Sequence, residues 1–174
     1  MILREETKRL EASIRVMHRS VFEREDESKL IDRLRADGLI VASVIAEEEE
    51  MIVGHVLFSS LRVETQHGTL PAAALAPVGV LAEWRGCGIG SALIHEGMEL
   101  CRQRGKAAVI VLGEPRFYSR FGFSADLTRS LRSPYSSAGE AWMAAELKPD
   151  ALHSLYGFVE YPAAFSQLDS RSKR

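Results

Sequence analysis

The chain has 174 residues, a net charge of −2, 46% hydrophobic and 26% charged residues. That is the length and mixture of one globular domain, 1–174, able to bury a sizeable core. A near-neutral balance argues against a dedicated nucleic-acid binder, which carries a basic face. No stretch approaches the roughly 20 apolar residues that cross a bilayer. Neither nucleic acid nor membrane is therefore expected as a partner. Two cysteines, Cys87 and Cys101, cannot build a disulfide framework and make no Cys-x-x-Cys pair, so no metal is expected. The start, Met1-Ile2-Leu3-Arg4-Glu5-Glu6, turns charged at once and has no signal-like apolar run, which favours a cytoplasmic location. The basic run Arg171-Ser172-Lys173-Arg174 reads as a solvated tail.

Leu10, Ile14, Met17 and Val21 fall on one face of an amphipathic helix. A second helix is predicted from an Asp26 N-cap through Leu30, Ile31 and Leu34 to a stop at Gly38. Residues 40–46 and 51–64 read as strands. Between them, Glu47-Glu48-Glu49-Glu50 is either a solvated hairpin turn or an acidic binding patch. After a turn at Gln66-His67-Gly68, residues 70–81 are nearly continuously apolar, as in a strand buried on both faces. A helix over 91–104 follows, with Leu93, Gly97, Leu100 and Cys101 inward and Gly105 just past its end. Residues 107–112 read as a short buried strand, which completes a βαβ crossover. Beyond it, 115–120 reads as a short helix, 124–140 as a long loop, and 142–147 and 155–161 as closing strands.

The chemistry concentrates in Arg85-Gly86-Cys87-Gly88-Ile89-Gly90-Ser91, between a buried strand and a helix start. A helix N-terminus presents unpaired N–H groups and about half a positive charge. Glycines let backbone close on a phosphate, so the segment reads as an anion cradle, with Arg85 as an added cation. A P-loop would need a lysine after the last glycine, and here Ser91 and Ala92 follow. A dinucleotide fingerprint would need another glycine spacing than 86, 88 and 90. The remaining pattern is Arg/Gln-x-x-Gly-x-Gly/Ala, met by Arg85, Gly88 and Gly90. Cys87, at a helix start, is also a candidate oxidation-sensitive thiol.

Downstream stands Phe117-Tyr118-Ser119-Arg120-Phe121-Gly122-Phe123. With this element, the glycine loop, Leu75-Ala76-Pro77-Val78-Gly79-Val80-Leu81, Val111-Leu112-Gly113-Glu114-Pro115, Val53-Gly54-His55 and Tyr161-Pro162-Ala163-Ala164-Phe165, the chain resembles the GCN5-related N-acetyltransferase (GNAT) superfamily, in its YhbS-like branch. The resemblance implies an α/β (α+β) three-layer fold. Its mixed, mostly antiparallel central sheet would carry a splayed parallel strand pair and helices on both faces. It implies acetyl transfer from acetyl-CoA to a primary amine, with coenzyme A as cosubstrate and no metal. Ala82 and Trp84 depart from that family's usual residues.

Carried over by the resemblance, Val78 and Val80 would pair with pantetheine, and an N–H near Val80 or Leu81 would polarise the acyl carbonyl. The amides of Gly86, Cys87, Gly88, Ile89, Gly90 and Ser91, with Arg85, would hold the pyrophosphate. Gly79 would mark a bulge that opens the strand pair. Tyr118 would protonate the leaving thiolate. The base is open: Glu114 is the first candidate, with Glu83, His67 and His55 behind it. The acceptor, a small-molecule or peptide amine, is open too. Glu23, Glu25, Asp26 and Glu27 would suit a cationic one, and Arg129, Arg132 and Tyr135 an anionic one. An acyl-CoA-binding sensor without turnover is the alternative function, and a homodimer is the commonest assembly.

Overall fold

A computed structural model describes residues 1–166; the basic run at 171–174 lies outside them. The strands are β1 (Ile2–Glu5), β2 (Ile40–Glu48), β3 (Met51–Thr65), β4 (Gly68–Val80), β5 (Ala108–Leu112), β6 (Leu131–Arg132), β7 (Trp142–Glu146) and β8 (Gly157–Glu160). The helices are α1 (Glu11–Phe22), α2 (Asp26–Ala36), α3 (Ile89–Gln103) and α4 (Pro115–Tyr118). Short 3₁₀ turns fill much of the rest.

The strands run β1-β2-β3-β4-β5-β7 across one sheet. β4 and β5 are parallel, joined through α3, and the other neighbours along this path are antiparallel. β3 is long enough to serve two partners on one edge: β2 over 51–59 and β8 over 62–65. β6 and β8 form a second, short parallel pair.

Alternation along the strands divides the core between two faces. Ala42, Val44, Phe58, Ala73, Leu75, Val109 and Val111 pack toward Leu93, Ile94 and Cys101 of α3. Ile45, Leu57, Leu61, Ala72, Ala74 and Ile110 pack toward Ile14, Met17, Leu30, Ile31 and Leu34 of α1 and α2. The sheet is therefore covered on both sides, and every central strand reads apolar in two phases.

Most predicted elements are present with ends moved by a residue or two. Glu25, not Asp26, occupies the N-cap position of α2. The four-glutamate run is a hairpin end, with Glu49 and Glu50 both at positive φ. α3 begins at Ile89, two residues before the predicted start, because Gly88 at φ 80° supplies the turn. β1 and β6 were not predicted. The expected bulge at Gly79 lies elsewhere: Gly79 pairs regularly with His55, and the register slips between Val78 and Leu75. Two residues, Ala76 and Pro77, there oppose Leu57, and a proline cannot donate to the ladder. Gly79 has another reason to be small. A Cβ on it would meet Val21 and Phe22 of α1 at 3.3 Å. No helix among the described residues is long and apolar enough to cross a membrane.

Candidate active site

The parallel pairing of β4 with β5 covers 72–75 against 108–111 and then stops. Residues 78–80 keep β3 on one side and have no strand on the other among the described residues. The phase of β4 decides which groups face that opening. Leu81 N–H donates to Val53 O at 2.9 Å, and the register runs Val80 to Gly54, Gly79 to His55 and Val78 to Val56. Hydrogen-bonded and non-hydrogen-bonded pairs alternate along an antiparallel ladder. The backbone groups of Val78 and Val80 therefore turn away from β3 into the gap, whereas the Leu81 amide is committed to Val53. Leu81 is thus not a free donor, and of the two expected donors only the Val80 N–H faces the gap.

The glycine loop closes one end of this gap. Gly86 and Gly88 sit at φ 79° and 80°, a region that costs side-chain-bearing residues energy. The first helical bond of α3 is Ala92 N–H to Gly88 O at 3.0 Å, so the amides of Ile89, Gly90 and Ser91 precede the helical ladder. No side chain caps them. A cavity of about 390 Å³ joins the pieces: Val78, Gly79 and Val80 on the strand, Arg85, Gly86, Gly88, Ile89, Gly90 and Ser91 on the loop, and Trp84, Phe117 and Arg120 as walls. Arg85 donates from Nε to Val80 O at 3.1 Å, across the mouth. Cys87 is exposed on the same loop but does not line the cavity.

Phe117 and Arg120 were not singled out from the sequence. The Arg120 guanidinium lies 4.7 Å from the Phe117 ring centre, and a Cβ on Gly90 would stand 4.0 Å from Phe117 Cζ. Phe117 therefore reaches across from α4 to the start of α3. Tyr118 lies behind it, buried, with its ring edge-on to Phe117 at 4.9 Å and to Phe123 at 5.7 Å. Gly113 makes room for that ring, since a Cβ there would stand 2.3 Å from Tyr118 Cε2. Burial pushes the Tyr118 phenol up from its ordinary value, which keeps it protonated.

Glu114 is exposed and caps α4, its Oε1 accepting from Arg116 N–H at 3.3 Å. Glu83 and His67 are exposed on turns. Of the acceptor candidates, Glu25 pairs with Arg19 and Lys29, Arg129 with Asp126, and Tyr135 packs on Tyr161.

His55 is different, because the fold joins it to residues that no local pattern connects. His18 Nε2 lies 2.7 Å from His55 Nδ1, and His55 Nε2 lies 2.8 Å from Ser43 Oγ. Ser43 donates to Glu6 Oε2 at 2.5 Å, and Arg35 donates to Glu6 Oε1 at 2.9 Å. Burial, and then the neighbouring His55, push His18 down to about 3. Burial likewise lowers His55, against the opposing pull of Glu6. Burial alone would raise Glu6, but bonds from His55, Ser43 and Arg35 outweigh it and hold the carboxyl at about 2.

An acid-stability prediction follows. An unfolded histidine titrates near 6.5 and His18 near 3 in the fold, so the unfolded chain binds the extra proton between those values. Stability then falls as pH falls through that window. At pH 5 the expected loss is about 2 kcal/mol from His18, with His55 adding in the same direction. Glu6 adds a further loss from about 4.5 down to about 2. Urea unfolding at pH 7 and pH 5 checks this; equal stabilities would contradict it.

Comparison with known proteins bears on the family and the fold. A family model for an acetyltransferase (GNAT) domain matches residues 3–125. YhbS of Escherichia coli K12, an uncharacterized N-acetyltransferase, is 35% identical over 151 residues, 86% of this chain and 89% of that one. The crystal structure of E. coli YhbS in complex with CoA superposes with a TM-score of 0.87 at 33% identity, covering 95% of this chain and 91% of the other. A GNAT family acetyltransferase from Brucella melitensis, in complex with acetyl-CoA, superposes with a TM-score of 0.77 at 30% identity, covering 94% and 97%.

Proposed function

Because this chain belongs to the acetyltransferase (GNAT) family, it transfers an acetyl group from acetyl-CoA to an amine, and we propose that the transfer takes place in the gap between β4 and β5. The pyrophosphate rests on the amides of residues 86–91, with Arg85 as counter-charge. Pantetheine lies along Val78 and Val80 as an added strand. The observation that carries this reading is that Val78 and Val80, without a strand partner on the gap side among the described residues, open onto the same cavity as the glycine loop. The CoA and acetyl-CoA complexes of the E. coli and Brucella proteins support it.

The acyl carbon is attacked directly by the amine, and the Val80 N–H faces the developing oxyanion. Tyr118 gives its proton to the departing thiolate. The acceptor is a small-molecule or peptide amine, and the enzyme works in the cytoplasm as one domain. Titration calorimetry with CoA tests the site, with ATP and NAD as controls. Ser91→Glu separates binding from folding. A carboxylate in the first turn of α3 favours the helix N-terminus yet repels a pyrophosphate. Thermal stability should stay level or rise, while the CoA dissociation constant rises tenfold or more. Unchanged CoA affinity in Ser91→Glu, or wild-type preference for ATP or NAD, rejects the cradle.

A further inference from the structure

The buried cluster on the other side of β4 has one bonding direction. Ionised Glu6 can only accept, so the Ser43 hydroxyl spends its proton on it. Ser43 Oγ must then accept from His55, which places the proton on His55 Nε2. A neutral His55 has a bare Nδ1, which accepts from His18 Nε2–H. His18 is neutral as well, so its Nδ1 is left as a bare lone pair. That atom is buried and finds no hydrogen-bond partner among the described residues. His18 and His55 are both 0% exposed. An unpaired polar atom at such depth is costly, and a packing role alone does not call for it.

Its place is specific. Gly79 lies between Val78 and Val80, and a Cβ on it would stand 3.5 Å from His18 Cε1, the ring carbon between Nδ1 and Nε2. The imidazole therefore rests against the stretch of β4 that would carry the thioester. Phe22, partly exposed and stacked on His18 at 5.5 Å, covers the ring from outside.

We propose that His18 is the general base of the transfer, its Nδ1 taking the proton that the acceptor nitrogen loses as it attacks the thioester. The chain Glu6, Ser43 and His55 acts through His18 as positioning residues that fix its tautomer and hold the ring in place. The N–C bond forms, the C–S bond breaks, and the thiolate leaves with the Tyr118 proton. The proton on His18 returns through solvent to the phenolate, so both groups are restored each cycle. Reaching Nδ1 requires the partly exposed Phe22 ring to give way to the acceptor. This rests on the acetyl-transfer reading of the gap.

One test needs no acceptor. Long-range ¹H–¹⁵N spectra of the full chain at pH 7 should show His18 and His55 as neutral Nε2–H tautomers. A proton on His18 Nδ1 overturns the proposal. The second test follows CoA thiol release from acetyl-CoA, with ethylamine as a minimal primary amine and water as the nucleophile in its absence. His18→Gln keeps a donor toward His55 but has no basic lone pair. A structural role therefore predicts near-normal turnover in that variant. We expect kcat to fall about 100-fold, with KM for acetyl-CoA and CoA affinity unchanged, and imidazole to restore part of the rate in His18→Ala. Turnover of His18→Gln within threefold of wild type overturns the base assignment alone. Failure of the wild type to bind CoA overturns the gap reading, and the base assignment with it.

Discussion

Tyr118→Phe is expected to lower kcat by about 100-fold or more while leaving CoA affinity and thermal stability nearly unchanged. The ring contacts that fix Tyr118, to Gly113, Phe117 and Phe123, belong to carbon atoms that phenylalanine keeps. The hydroxyl makes no hydrogen bond that would be orphaned among the described residues. What the substitution removes is a proton held by a buried phenol that stays neutral at working pH. Phenols and thiols have similar proton affinities, so transfer to a departing thiolate is close to balanced. Phe117 lines the cavity, and Tyr118 packs edge-on against that ring at 4.9 Å, one layer behind the lining. Single-turnover thiol release beside CoA titration checks this. If turnover survives, the thiolate leaves on a water proton and Tyr118 is a packing residue.

The backbone geometry of the glycine loop was legible because its signals are local. Gly86 and Gly88 are glycines for a backbone reason, positive φ, and they stand next to the helix whose amides they expose. The βαβ crossover was legible because residues 70–81, 91–104 and 107–112 each carry their own period. β1 was not, since Ile2-Leu3-Arg4-Glu5 has no period of its own and becomes a strand only by pairing with β2, helped by the Arg4–Glu47 ion pair. The bulge was misplaced because a glycine was weighed above Pro77, although a proline's missing N–H was the better signal. Of the buried polar cluster only His55 was singled out in the sequence, and nothing there linked it to the others. Glu6, His18, Ser43 and His55 are spread over the end of β1, α1, β2 and β3, and only the register of three strands brings them together. A residue such as Glu114 looked suited to catalysis by position, yet its carboxylate caps the turn it introduces.

Gly97→Ala tests how the cradle is held against the strand. In an exposed helix this change would stabilise by about 1 kcal/mol. Here the added Cβ would lie well inside the ring of fully buried Phe58, at 2.1 Å from Cε2. The ring is fully buried in the core between α3 and the strands, and overpacking of this kind costs about 1–3 kcal/mol. A net loss of about 1 kcal/mol is expected, read as a fall of roughly 3 °C in Tm. The alternative relief is for α3 to lift off the sheet, and Gly54 shows how little slack exists, since a Cβ there would meet Leu93 at 3.0 Å and Ile89 at 3.1 Å. Ile89, Gly90 and Ser91 are the first turn of the same helix, so any lift moves the amides away from Val80 and weakens CoA binding too. Phe58→Leu in the Gly97→Ala background separates the causes. If the clash is the cause, the double variant regains stability relative to the sum of the two single losses, by about 1–2 kcal/mol of coupling. Additive losses, or a stabilised Gly97→Ala, would mean that the helix is not held close by this glycine.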